Sequence, residues 1–260
     1  MLPSNEPRRL QPSLIEKILA SPTPVTWILL VVNLMVWAGL ELSGGSTSVP
    51  NLLRWGAKFG PAIADGEYWR LFTPMFLHIG FAHLLTNSLG LIIFGRLVER
   101  YFGSLNFLLI YLLAGVFGNI ASYAALSNGV GAGASGAVFG IIGAYGSFLF
   151  RNRSTTGSMA QSTLGGLGII VGINLIFGFS VSGIDNWAHI GGLVGGFLIA
   201  YGIVPRAVSM PTEVMEEFAG NIYRPVLIRV PALAVIEVMA VSVITIVATT
   251  WVIGTAYPIR

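Results

Sequence analysis

All three histidines of this 260-residue chain fall in two short stretches. One is His78-Ile-Gly-Phe-Ala-His83-Leu-Leu-Thr-Asn87, the other Ala188-His189-Ile-Gly-Gly192. Between them lies Gly133-Ala134-Ser135-Gly136-Ala137-Val138-Phe139-Gly140. A hydroxyl, an imidazole and a set of hydrogen-bond donors are the parts of nucleophilic acyl transfer: the hydroxyl attacks, the base takes its proton, and the donors hold the oxyanion. The chain has no cysteine, which excludes disulfides, thiolate chemistry and cysteine metal sites.

Each residue also has a plainer reading. Ser135 fits a helix N-cap, and small residues around it fit close packing between membrane helices. As a nucleophile it needs a base within reach, and unpaired N–H groups at a helix start offer an oxyanion site. His189 is the candidate base. A histidine in a membrane segment is costly and faces the bundle interior or a wet cavity, so the alternative role is a helix–helix hydrogen bond. Gly192 and Gly196 lie on roughly one face with His189 and permit close backbone approach there. If the helix of Ser135 packs on that face, imidazole and hydroxyl meet. Phe139, one turn below Ser135, is a core residue or a platform for the imidazole ring. His83 and Asn87 are four apart and share a helix face. They either tie a loop to the bundle or donate to an oxyanion, where a donor is typically worth about 3–4 kcal/mol. His78 reads as a loop anchor. Asp185, four residues before His189, could approach it, but the wet turn before the helix is the preferred place for it, and Glu237 lies at the opposite depth. A serine–histidine dyad without an acid is therefore expected. A metal needs about three converging ligands, and no H-E-x-x-H motif is present; no metal or other cofactor is expected.

The elements that must carry these residues read as membrane helices. Apolar residues make up 54% and charged residues 10%, against roughly a quarter charged in soluble domains. Such a chain cannot cover itself with polar surface and is expected to be an all-α polytopic membrane protein. Its net charge of +3 is spread between apolar blocks, which suits topology rather than nucleic-acid binding. Residues 1–24 read as a polar tail with a short interfacial helix around 14–20, and no cleavable signal peptide is apparent. Apolar runs predict helices near 25–40, 83–98, 105–126, 135–150, 164–179, 187–204 and 232–253, taking about 20 residues as a full span. Residues 41–82, rich in Trp, Tyr and charges, read as a structured interfacial loop. Residues 205–231, with Glu213, Glu216, Glu217, Arg224 and Arg229, read as a connector.

Alternating the sides puts Arg8, Arg9, Lys17, Arg96, Arg100, Arg151, Arg153, Arg206, Arg224 and Arg229 with the N-terminus, and Arg54, Lys58, Arg70 and Arg260 opposite. The positive-inside rule then sets the N-terminus in the cytoplasm. Seven spans leave the C-terminus outside, in a plasma-type or inner cell membrane. Ser135, His189, His83 and Asn87 come to the same depth, below the outer surface. A transporter would instead line a path through the bilayer with ionisable groups, and the inner half offers few.

Taken together, these residues resemble the rhomboid family of intramembrane serine proteases. The matching features are Tyr68-Trp69-Arg70, His78-x4-His83-x3-Asn87, Gly133-Ala134-Ser135-Gly136 followed by the aromatic Phe139, and Ala188-His189-x2-Gly192-x3-Gly196. All four come in the family's order and cover about residues 25–204. The resemblance implies a six-helix bundle with the serine at the bottom of a water-filled cavity; the seventh C-terminal transmembrane helix, read from the apolar run at 232–253, lies outside it and makes the chain a six-plus-one member. The resemblance implies Ser135 as nucleophile, His189 as general base, and His83, Asn87 and the Ser135 N–H as oxyanion hole. Trp69 and Arg70 would belong to the structured loop, and Gly192 and Gly196 would let the fourth and sixth helices touch. The implied partners are the lipid bilayer and single membrane-spanning substrate segments that unwind into the cavity; nucleic acid and metal are not among them. Phe139 keeps the ring of the family's frequent tyrosine and lacks its hydroxyl. An inactive, helix-binding relative should lack the serine or the histidine, and this chain has both.

Overall fold

The computed structural model describes residues 22–126, 128–208, 226–228 and 231–256. The expected tail and its helix at 14–20, most of the connector with its acidic residues and Arg224 and Arg229, and Arg260 lie outside them.

Helix α1, Pro24–Leu42, begins with a proline, whose fixed φ suits a first helical turn and whose missing N–H is not needed there. The next two N–H groups, of Val25 and Thr26, donate to the buried Glu99 carboxylate at 3.0 and 2.8 Å. Residues 43–79 form a built loop. It contains α2 (Val49–Arg54), β1 (Lys58–Phe59), α3 (Gly60–Ala64) and 3-10 turns at Tyr68–Leu71 and Thr73–Phe76. Arg70 braces it: one guanidinium nitrogen donates to the carbonyls of Leu53 (2.9 Å) and Ala57 (3.0 Å), and the group lies over the Trp69 ring at 4.5 Å. Trp69 closes on Gly56, where an added Cβ would stand 2.4 Å from the indole.

Helix α4, Gly80–Phe102, carries a π-helical stretch at Leu91–Gly95. After it come α5 (Ser104–Ala125), β2 (Val130–Gly131), α6 (Ser135–Arg151), α7 (Arg153–Ser180) and α8 (Asn186–Ile203). Strands β3 (Arg206–Val208) and β4 (Val226–Ile228) pair antiparallel, and α9 is Ala232–Ala256. β1 pairs antiparallel with β2, Lys58 opposite Gly131, which joins the loop to the segment just before Ser135. Two boundaries differ from expectation. α4 starts earlier than the apolar run, so His83 lies a turn inside it. α7 starts at Arg153 and bends at Gly157 (φ 57°), because its first residues are polar and carry no apolar signal.

Five helices, Pro24–Leu42, Gly80–Phe102, Ser104–Ala125, Gly157–Ser180 and Ala232–Ile253, are long and apolar enough to cross a membrane. The chain is a multi-pass, all-α integral membrane protein. The shorter α6 and α8 occupy the middle, packed on each other and on α5. Lipid tails are as apolar as leucine, so helices in a membrane gain from close van der Waals approach rather than from hiding from water. Glycine makes that approach possible here. A Cβ at Gly192 would stand 1.9 Å from the Gly136 carbonyl oxygen, one at Gly196 2.1 Å from that of Gly140, and one at Gly143 2.2 Å from that of Leu193. α9 lies against α8 and α5, with Gly202 facing Val238; Glu237 is exposed on it, and no ion pair reaches it among the described residues.

Candidate active site

Ser135 is the first residue of α6, and the N-cap is Ala134. The serine side chain makes no capping bond, so the plain N-cap reading does not hold. As the first helical residue, Ser135 presents an N–H that no intrahelical carbonyl can accept. Gly133, two residues earlier, has φ +146° and donates its N–H to the Pro74 carbonyl at 2.9 Å. A side chain there would also collide with His83: the added Cβ would be 2.6 Å from Cε1 and 2.8 Å from Nε2, while standing 3.7 Å from Ser135 Oγ. The His83 ring and the serine hydroxyl thus flank one glycine.

His189 is the fourth residue of α8 and is buried. Its ring stacks on Phe139 with centroids 4.3 Å apart and planes 3° from parallel. The backbones beside it interlock. Gly136 lies against the Ala188 carbonyl, as does Gly118 of α5, and Gly192 lies against Gly136. The neighbour of Ser135 therefore touches the neighbour of His189. No hydrogen bond joins the two side chains in this arrangement, and His189 Nδ1 has no partner. Such bonds are often open in unliganded sites and tighten with substrate.

His83 accepts the Ile79 N–H on Nδ1 at 3.4 Å. A neutral ring that accepts on Nδ1 carries its proton on Nε2, an atom on the side of the ring that faces Gly133. Asn87, one turn on, is buried; its Nδ2 donates to the His83 carbonyl at 3.0 Å, which leaves a second N–H of the amide to offer. His78 is fully buried, edge-on to the His83 ring at 5.5 Å. Burial, and next the neighbouring His83, push its pKa from the ordinary 6.5 down to about 4. His78 is a neutral packing piece behind His83.

Asp185 stands half-buried in the segment just before α8. It caps α8, accepting from Ala188 N at 3.0 Å, and its other oxygen accepts from Ser122 Oγ. Ser122 in turn accepts from the Nζ of Lys58, which is 1% exposed and also donates to the Leu126 carbonyl at 3.0 Å. Sequence reasoning gave Lys58 and Ser122 no part in the site. Lys58 reads as one loop charge among several, and only the β1–β2 pairing, invisible in composition, carries it inward.

The arrangement is that of a helical membrane bundle with a buried imidazole beside a serine at a helix start. The family model for the Rhomboid domain matches residues 65–206. The chain is 44% identical over 209 residues to the rhomboid protease GluP of Bacillus subtilis (strain 168), covering 80% of this chain and 40% of that protein. It is 36% identical over 180 residues to YdcA of the same strain, covering 68% of this chain and 87% of that protein. It is 38% identical over 159 residues to RHOMBOID-like protein 6, mitochondrial, of Arabidopsis thaliana, half of whose length is matched. The chain belongs to the rhomboid family.

Proposed function

We propose that the chain is an intramembrane serine endopeptidase that cuts within or near single membrane-spanning segments, with Ser135 as nucleophile and His189 as general base. The observation that carries this reading is the parallel stack of the His189 ring at 4.3 Å on Phe139, which lies one helical turn from Ser135. The Ser135 hydroxyl proton passes to the imidazole as Oγ attacks the scissile carbonyl carbon. The carbonyl oxygen becomes an oxyanion that receives hydrogen bonds from His83 Nε2, Asn87 Nδ2 and the Ser135 N–H. Collapse expels the amine, which takes the proton from the imidazolium. Water, deprotonated by the same base, then hydrolyses the acyl-enzyme. A helical substrate hides its carbonyls in hydrogen bonds, so the segment must unwind first, and helix-breaking residues lower that cost. Phe139, Gly133, Gly136, Gly192 and Gly196 hold the geometry; Trp69, Arg70 and His78 hold the loop and the His83 side. In this reading α6 and α8 also span, completing a six-plus-one bundle with the N-terminus cytoplasmic and the C-terminus outside, in the cell membrane.

The test is labelling of the purified protein by a fluorophosphonate probe, together with cleavage of a reporter membrane segment. Wild type should label and cut. Ser135→Ala and His189→Ala should do neither while keeping the melting temperature of the wild type. Full cleavage by both variants refutes the dyad. A non-cleaving helix-binding role is the second reading, favoured by the open Ser135–His189 hydrogen bond; a wild type that binds the segment and never labels would establish it.

A further inference from the structure

Three elements must hold still for the dyad: the interfacial loop, the segment entering Ser135, and the start of the His189 helix. One buried lysine links all three, reaching the last through Ser122. Lys58 sits in β1, paired with Gly131 of β2, four residues before Ser135. Its Nζ donates to Ser122 Oγ at 2.8 Å and to the Leu126 carbonyl at 3.0 Å, the latter at the end of α5. Ser122, itself fully buried, donates a hydrogen bond to Asp185, the N-cap of α8, whose fourth residue is His189. A Cβ on Gly131 would stand 3.3 Å from Lys58 Cε and 3.6 Å from Asp185 Oδ2, so the strand, the ammonium and the carboxylate converge at one point.

We propose that Lys58, Ser122 and Asp185 form a positioning relay that fixes the start of α8, and with it His189, relative to Ser135. The physical reason is directional. A bare N-cap carboxylate can swing between rotamers and still satisfy a helix N–H. Held on its other oxygen by Ser122, it fixes the axial rotation of the first turn of α8, and the imidazole lies on that turn. A buried lysine has its charge disfavoured, and Lys58 is pushed below its ordinary range by burial, with Asp185 opposing. A cation kept in such a place is costly, and the sequence gains nothing from it in α5 packing that a leucine would not supply. Aligning a base within an ångström of its working position accounts for factors of about a hundred in rate.

The inference rests on the proposed dyad, and the experiment separates the two. Cleavage of the reporter segment in liposomes is measured with kcat and KM resolved, beside melting temperature, for wild type, Ser122→Ala, Asp185→Asn, Lys58→Met and the double variant Lys58→Met/Asp185→Asn. Asparagine caps a helix as well as aspartate, so Asp185→Asn removes the charge and spares the cap. Each single variant should lose about ten- to a hundredfold in kcat with KM unchanged. The double should lose no more than the worse single, because both changes break one chain. Wild-type kcat in Ser122→Ala and Asp185→Asn overturns the relay. So does a double variant whose loss is the product of the singles. If Lys58→Met fails to fold, Ser122→Ala and Asp185→Asn decide. An inactive wild type counts against the protease reading instead.

Discussion

Gly192→Ala is the change that should injure the site most per atom added. The new Cβ would fall 1.9 Å from the Gly136 carbonyl oxygen, 2.7 Å from its carbon and 3.1 Å from its Cα. All three are backbone atoms of the nucleophile's helix and cannot swing aside as a side-chain tip would. Relative to an ordinary contact of 3.4 Å the shortfall is about 1.5 Å, and close-packed interiors transmit rather than absorb such a wedge. α6 and α8 must separate by roughly that distance. Overpacking of this kind costs about 1–3 kcal/mol of stability. An ångström of misplacement between reacting groups costs about a hundredfold in rate. The two effects separate in the assay. Melting temperature reports the first, and the rate of fluorophosphonate labelling at a temperature where both proteins are folded reports the second. The control is Gly172→Ala, on an open face of α7 where nothing lies within 4 Å of the added methyl. The control should match wild type in both measurements, and Gly192→Ala should fall in both, further in labelling than its melting temperature explains. Wild-type labelling by Gly192→Ala would refute the claim that this glycine contact sets the distance from nucleophile to base.

Other outcomes follow from the same geometry. Asn87→Ala should lower kcat by about a hundred- to a thousandfold, the usual cost of one oxyanion donor, while some cleavage persists through His83 and the Ser135 N–H; steady-state cleavage kinetics check this. Gly133→Ala should fold less stably and label slowly, since its methyl would overlap the His83 ring and its φ of +146° disfavours a side chain. His78 makes stability depend on pH. Its folded pKa of about 4 lies below the ordinary 6.5, so the unfolded chain binds the proton more readily. The stability is complete above pH 6.5 and is lost as pH falls from there toward 4, by up to about 3 kcal/mol. Thermal unfolding across that window should show a shallower slope for His78→Phe than for wild type; equal slopes would remove His78 as the source.

Helices in this chain are legible because their apolar runs are long: the runs near 105–126 and 232–253 match α5 and α9 within a few residues. α6 and α8 show in the same way, and carry a second signal. Their glycines and small residues announce close approach, and the 3.6-residue repeat predicts which glycines face the partner. The loop at 43–79 was recognisable as ordered from its tryptophans, yet its two short helices and two 3-10 turns were not. They are held by bonds between distant side chains and backbone, such as Arg70 to Leu53 and Ala57 or Thr73 to Gly56, and these leave no local pattern. The bonding of Asp185 is hidden on the same account. Nothing in its neighbours signals that Ser122, 63 positions earlier, donates to it.

The five-residue π stretch at Leu91–Gly95 has a consequence for the phase of α4. In an unbroken α-helix twelve residues advance the azimuth by about 1200°, which would set Asn87 and Glu99 about 120° apart around the barrel of the helix. A single π turn inserts one surplus residue and winds the lower half back by about 100°. Both residues accordingly point inward, Asn87 at 6% and Glu99 at 2% exposure, one bonded to the His83 carbonyl and the other gripping Val25, Thr26 and Ser104 at the far end. Excising one residue from that stretch would spare the hydrophobic length of the segment and turn the lower anchor out toward lipid. The irregular turn is thus a rotational coupling that lets one rod serve two polar ends.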